Sequence, residues 1–172
     1  MEQAWIFERL AVTLARIDFV DPELAHEDDV RERGVRLEVR LVETTSTGSI
    51  YASPALQLRP AVCRIDLLES ASYAADRMHW HPVMEDGEPG DRTFDVTMVV
   101  DPLVWLEDHL RGSDVLLAES GVPLDDGVRA DVALIREVAP EIVSAARRGL
   151  ERARVDPWPE VVRDDRGLAT IH

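Results

Sequence analysis

The spacing of apolar residues changes once along the chain, close to residue 100, and this change constrains the fold more than any other feature. Before it, apolar and polar residues alternate, most clearly at 35–41, where Val and Leu are separated by Arg and Glu. Such alternation predicts strands with one apolar and one charged face. After Asp101-Pro102, apolar residues recur every three or four positions, which is typical of helices. Strands followed by helices predict an α+β fold, with a mostly antiparallel sheet in the first 100 residues packed against C-terminal helices.

Other strands are predicted at 55–69, 77–81 and 92–100. A proline, Pro60, interrupts the first of these, which favours an edge position or a bulge. Residues 5–20 fit either a helix or a strand, and their β-branched end favours a strand. The acid-rich segment 21–33 is predicted to be a loop or a short polar helix.

Two helices are predicted in the second half of the chain. Asp101 is suited to cap a helix that ends before Gly112, and a longer helix covers about 127–154. Because Pro140 lies inside the longer helix, we expect a kink or two consecutive helices. The chain is predicted to form one domain, residues 1–155, with a tail, 156–172, that docks on it.

Charge limits the classes of partner. The chain has 34 acidic and 19 basic residues, all of the latter arginine, and a net charge of −15. This excess of acid argues against nucleic acid and anionic membranes as partners, and it is compatible with a basic protein partner or a homo-oligomer. A single cysteine, no leader-like N-terminus and no long apolar stretch predict a cytoplasmic protein.

The segment Arg77-Met78-His79-Trp80-His81 is the strongest candidate for a functional site. Residues two apart on a strand point to the same face, so His79 and His81 would present two imidazoles side by side, with Arg77 on the same face. This spacing suits two ligands to a transition metal from one strand.

Carboxylates from neighbouring segments could complete this site. Asp66 and Asp95 are predicted on flanking strands, and Glu85 on a following loop. His79, His81, Glu85 and Asp66 are therefore the predicted ligands of a divalent transition metal such as Zn²⁺, Fe²⁺ or Mn²⁺. His79, His81, Asp95 and Arg77 are the predicted catalytic residues, because a histidine held by Asp95 or Asp66 could also act as a general base without a metal.

Three other interpretations remain open at this stage. The histidines could belong to an ordinary polar face of a half-buried sheet, or lie at the mouth of an apolar pocket between sheet and helices. The chain could also be a non-catalytic acidic binding module, like an immunity protein or antitoxin, that recognises a basic partner. The favoured hypothesis is a small metal-binding or hydrolytic domain that uses the His-X-His pair.

Overall fold

The computed structural model describes residues 3–22, 25–26, 30–46, 48–49 and 51–170. Its main element is a five-stranded antiparallel sheet in which strands that follow one another in sequence are also neighbours in space. The strands are β1 (Gln3–Ile6), β2 (Leu10–Val20), β3 (Arg31–Thr45), β4 (Ala55–Glu69) and β5 (His79–His81). Helices follow in the second half of the chain, so the predicted α+β class is confirmed.

In the structure, residues 5–20 are the end of β1, a turn at 7–9 and the whole of β2, so the strand character favoured for them is present but is divided between two strands. The strand predicted at 35–41 extends further in both directions. Residues 31–33, which were predicted to lie in a loop or polar helix, are the first part of β3 instead. They pair with residues 18–20 of β2, and backbone pairing of this kind overrides the weak preference of acidic residues for loops. Residues 23–24 and 27–29 of the same acid-rich segment lie outside the described residues.

Pro60 lies within β4 at an irregularity of the sheet. The pairing of β3 with β4 changes register between Val39 and Val42, so that Arg40 is opposite Ala61 and Val42 is opposite Leu58. The predicted bulge is therefore present. It places the proline, which has no N–H to donate, where the regular ladder is interrupted.

The two faces of the sheet differ in chemistry, as the alternation predicts. Side chains of the helix-covered face are buried in the hydrophobic core, namely Leu10, Val12, Leu14, Val35, Leu37, Val39, Cys63, Ile65, Leu67, Met78 and Trp80. Their sequence neighbours point to the other face and are mostly charged or histidine. We call this second side, formed by Arg36, Glu38, Arg64, Asp66, His79 and His81, the polar face.

A small hairpin follows β5. Its strands are β6 (Met84–Glu85) and β7 (Glu88–Pro89), and Asp86 and Gly87 between them have φ angles of 52° and 91°. Two consecutive positive φ angles are typical of a tight two-residue hairpin, in which glycine carries no steric penalty. The hairpin contacts β4, and the chain leaves it at Gly90, beside the polar face.

The strand predicted at 92–100 is wrong. Among residues 92–100, only Thr93 pairs with β5, through two backbone hydrogen bonds to Trp80. Helix α1 (Val96–Val100) follows. The side chain of Asp95 accepts from the backbone N–H of Thr97 and caps this helix, which is the local interaction that defeats the strand pattern. Met98 alone in this helix is buried, so the alternating apolar residues do not mark a sheet face here.

The remaining helices cover the apolar face of the sheet. They are α2 (Pro102–Arg111), α3 (Ser113–Glu119) and α4 (Asp126–Val155). Asp101 caps α2 by accepting from the N–H of Val104, as predicted. Asp125 caps α4 in the same way, by accepting from the N–H of Val128. Pro140 does not divide α4 into two helices, since buried residues on both sides, Ala139 and Ile142 among them, anchor it to one core.

Residues after α4 contact the end of the sheet. The guanidinium of Arg33 donates to the carbonyl oxygens of Asp156 and Pro157 and lies 5.5 Å from the centre of the Trp158 ring. The division into a domain ending at residue 155 and a docked tail stays a prediction. In the described part of the chain, no helix combines the length and apolar character needed to cross a membrane.

Candidate metal centre

Pairing between β4 and β5 brings the two predicted histidines beside Asp66. Asp66 lies opposite His79, and Arg64 lies opposite His81. All of these side chains point to the polar face, because the partners of a hydrogen-bonded antiparallel pair share one side of the sheet. The sequence alternation thus places the two imidazoles and one carboxylate on a common surface.

Asp66, His79 and His81 form a compact group of potential metal ligands. Each is at least 97 % buried, and one ligand atom from each can be chosen so that all lie within 4.8 Å of one another. The Nε2 atom of His79 is 3.5 Å from Oδ2 of Asp66, and the two imidazole rings meet edge to face at 4.9 Å between centres. Two histidines and one carboxylate that leave other positions open are a ligand set found around divalent iron and zinc.

Backbone carbonyl groups orient both imidazoles. The Nδ1 atom of His79 lies 2.8 Å from the carbonyl oxygen of Arg77, and that of His81 lies 2.8 Å from the carbonyl oxygen of Gly90. A carbonyl only accepts, so each Nδ1 carries the proton, and a neutral ring then keeps a lone pair on Nε2. The hydrogen bonds therefore leave both Nε2 atoms in the form that binds metals.

Burial also favours the neutral form of these rings. It lowers the pKa of His79 and the pKa of His81 below the usual value of 6.5, and it outweighs the hydrogen bonds and the Asp66 charge that act in the opposite direction. Both imidazoles are consequently unprotonated at neutral pH, which is a requirement for metal binding.

Arginines hold the carboxylates of the polar face in place. Arg36 donates to both oxygens of Asp66, from Nε at 2.6 Å and from Nη2 at 3.1 Å. Beside this pair, Glu38 accepts from Arg64 at 2.9 Å and also from Arg40. The two hydrogen bonds from Arg36 fix the Asp66 carboxylate. The remaining lone pairs of this carboxylate stay available, since each carboxylate oxygen accepts more than one hydrogen bond.

A cavity of about 280 Å³ opens beside Asp66, His79 and His81. Three arginines, two carboxylates and two histidines contribute to its wall, together with Phe19, Pro89 and Gly90. The charged groups are Arg36, Arg64, Arg92, Glu32 and Asp66. The wall therefore carries more positive than negative side chains, although the chain as a whole has a net charge of −15.

Glu32 is the unusual member of this wall. It is 1 % exposed, and its Oε1 atom accepts no hydrogen bond from the residues that the structure describes. Burial raises the pKa of Glu32, and the nearby charge of Arg92 acts against this rise. A buried carboxylate oxygen without a hydrogen-bond donor lowers the stability of the folded protein, and such atoms are rare in native structures.

The other predicted site residues lie apart from Asp66, His79 and His81 or make different contacts. Asp95 faces α2, where it accepts from the indole Nε1 of Trp105 at 2.9 Å; hydrogen bonds from Thr97 and Trp105 lower the pKa of Asp95 to about 2. Glu85 is exposed on β6, outside the group of three ligands. Arg77 contributes its carbonyl oxygen to His79, and its side-chain charge acts on Glu32.

Sequence reasoning missed Glu32 and Arg36 as parts of this site. The alternation at 35–41 already places Arg36 on the same side as Glu38, but it did not indicate that Arg36 contacts Asp66. Glu32 also lies at an even position of β3, so it would have been placed on the polar face had the strand been extended backwards. Arg92 was missed because residues 92–100 were assigned to a strand. Comparisons with protein-family models, with curated proteins and with solved structures gave no match to this chain.

Proposed function

We propose that this protein binds one divalent transition metal ion through Asp66, His79 and His81, and that the bound ion activates a water molecule for hydrolysis. The observation that carries the proposal is the pair of Nδ1 hydrogen bonds to backbone carbonyls, which leave both Nε2 lone pairs beside a fixed carboxylate. Three protein ligands leave coordination positions for water and substrate, as in catalytic zinc sites.

The surroundings of the ligands support chemistry rather than a purely structural ion. Structural zinc sites are closed by four protein ligands, whereas this group has three and borders a cavity large enough for a small molecule. A metal ion in such a site supplies Lewis acidity and lowers the pKa of bound water. The protein's part is to hold the ligands, through Arg36 and the two carbonyls, and to shape the space beside them.

Metal binding is tested by equilibrium dialysis against Zn²⁺ and by the visible spectrum of the Co²⁺-loaded protein. We expect one equivalent bound, and a loss of at least about 100-fold in affinity when a ligand is removed, as in Asp66→Asn or His81→Ala, since even residues that only orient ligands contribute 10- to 100-fold. His109→Ala is the matched control, because this histidine stacks on Trp105, away from the three ligands. Negligible metal in the wild type, or equal binding in all variants, would refute the proposal.

Hydrolysis is tested separately on the metal-loaded protein, with a chromogenic carboxylic ester and a chromogenic phosphate ester. We expect turnover of at least one of these to require the metal and to disappear in His79→Ala. Tight metal binding without any metal-dependent turnover would leave a binding protein and remove the hydrolytic half of the proposal.

A further inference from the structure

Glu32 lies in the wall of the cavity and needs a hydrogen-bond donor that the three proposed metal ligands do not provide. Its Oε1 atom is buried and lacks a hydrogen-bond donor among the described residues, and the residue lines the cavity beside the ligands. A carboxylate in this position is satisfied only when something in the cavity donates a hydrogen bond to it. A ligand in the cavity that carries an O–H or N–H group would supply this donor.

The arginines on the wall add a second requirement. Arg36 and Arg64 already hold Asp66 and Glu38, but Arg92 is half exposed and reaches Asp21 only at 3.8 Å, which is too long for a hydrogen bond. A ligand oxygen can therefore accept from Arg92. Guanidinium groups pair best with carboxylate and phosphate oxygens, so the occupant also carries a negative charge.

Few small ions meet both requirements. Sulfate and simple carboxylates are anions without a proton to donate near neutral pH, and ammonium ions are donors without negative charge. Hydrogenphosphate carries two negative charges and one O–H group at about pH 8, because the second ionisation of phosphoric acid is nearly complete at this pH and the third lies far higher. It can accept from Arg92 and donate to Glu32 at the same time.

We propose that the cavity is a binding site for hydrogenphosphate, with the anionic oxygens toward Arg92 and the metal position and the O–H donated to Glu32. This inference rests on the proposed function for the metal contact only, since Arg92 and Glu32 are separate from the three ligands. In this arrangement Glu32 discriminates: it accepts from a protonated anion and repels an unprotonated one of the same shape and charge.

Isothermal titration calorimetry at about pH 8 compares three probes, inorganic phosphate, sulfate and methyl phosphate. All three are dianions at this pH, and phosphate alone has a proton to donate. A hydrogen bond to a charged group supports an expected preference for phosphate of at least about tenfold over each of the other two. Equal binding of phosphate and methyl phosphate, equal binding of phosphate and sulfate, or no binding of phosphate would overturn the inference.

Variants assign the preference to its source. In Glu32→Gln the side chain keeps its size but loses the charge, so the three affinities should fall within about threefold of one another. Arg92→Gln should weaken all three anions in parallel, and the exposed Glu85→Gln is the control that should behave as the wild type. An undiminished preference for phosphate in Glu32→Gln would contradict the role given to Glu32. If Glu32→Gln does not fold, the probe comparison on the wild type and on Arg92→Gln, which changes an exposed side chain, still decides the question.

The titrations are carried out on metal-free protein and on protein with one equivalent of Zn²⁺. The preference for phosphate should be present in both forms, with tighter binding in the second. Metal binding without a phosphate preference would refute this inference and leave the metal proposal standing. A phosphate preference in a protein that binds no metal would support this inference and refute the metal proposal.

Discussion

Asp131 connects the long helix α4 to the turn between β1 and β2, and its removal gives the most quantitative prediction. Its side chain is 2 % exposed and accepts three backbone hydrogen bonds, from the N–H groups of Glu8 at 3.3 Å, Arg9 at 2.6 Å and Leu10 at 2.8 Å. These three N–H groups lie at the turn, before β2 is fully paired. The carboxylate therefore replaces the backbone partners that the sheet does not provide.

The cost of Asp131→Ala follows from these contacts. The Leu10 hydrogen bond is buried and counts in full, at about 1.5–3 kcal/mol for a bond to a charged group. The other two N–H groups are partly accessible and regain water, so they add roughly 1–2 kcal/mol together. Alanine returns a few tenths of a kcal/mol through its higher helix propensity. The sum is a loss of about 2–5 kcal/mol, a large share of the roughly 5–15 kcal/mol that stabilises a typical domain.

Urea unfolding followed by circular dichroism measures this loss. We expect a lower midpoint for Asp131→Ala with an unchanged dependence of the unfolding free energy on urea concentration. Asp131→Asn keeps one carbonyl oxygen as acceptor and should lose about half as much. The exposed Glu137→Ala on the same helix should lie within about 0.5 kcal/mol of the wild type. A loss below about 1 kcal/mol for Asp131→Ala would contradict this prediction, because water would then replace all three hydrogen bonds.

Three further predictions concern the sheet. Because burial lowers the pKa of His79 and of His81, the unfolded chain binds protons that the folded metal-free chain does not. The unfolding free energy of the metal-free protein should therefore fall as pH drops below about 6.5, which urea unfolding across pH measures. An equally steep fall in H79Q/H81Q would contradict this prediction. Gly34→Ala should cost roughly 3 kcal/mol in the same assay, since a Cβ there would lie 2.1 Å from the carbonyl oxygen of Leu67, and a neutral effect would contradict the packing described. Burial raises the pKa of Cys63 to about 12, so iodoacetamide should not label the folded protein at neutral pH, and labelling at the rate of the urea-unfolded chain would refute this.

The sequence pattern predicted the sheet faces well because burial imposes the alternation directly. His79 and Asp66 were placed on the polar face from spacing alone, and their contact then followed from the pairing of neighbouring strands. Asp95 shows where this reasoning stops. The same alternation continues through residues 92–100, but a helix starts there because the side chain of Asp95 accepts a hydrogen bond from the N–H of Thr97. The spacing of apolar residues over so short a segment cannot predict a single side-chain hydrogen bond.

Glu32 was missed for a different reason. The acid-rich segment 21–33, which contains it, was predicted to be a loop or a short polar helix, and only the long-range pairing of β3 with β2 reveals that Glu32 is buried. The orientation of the His81 imidazole could not be predicted either, because it depends on the carbonyl of Gly90, which the β6–β7 hairpin brings beside His81. A spacing of two residues predicts that side chains share a face, but it carries no information on which ring nitrogen bears a proton.

The shortness of β5 has a consequence for how the protein opens. β5 pairs with β4 over three residues, whereas β3 and β4 pair over most of their length, so the edge of the sheet that carries both histidines is held by few hydrogen bonds. Segments of this kind separate from a native protein by local fluctuations far below the energy of global unfolding. An ion shared by Asp66 and the two histidines would close a loop between neighbouring strands and suppress these fluctuations. The amide protons of β5 should then exchange with solvent deuterium more slowly in the metal-loaded protein, while those of β2 and β3 keep the same rates.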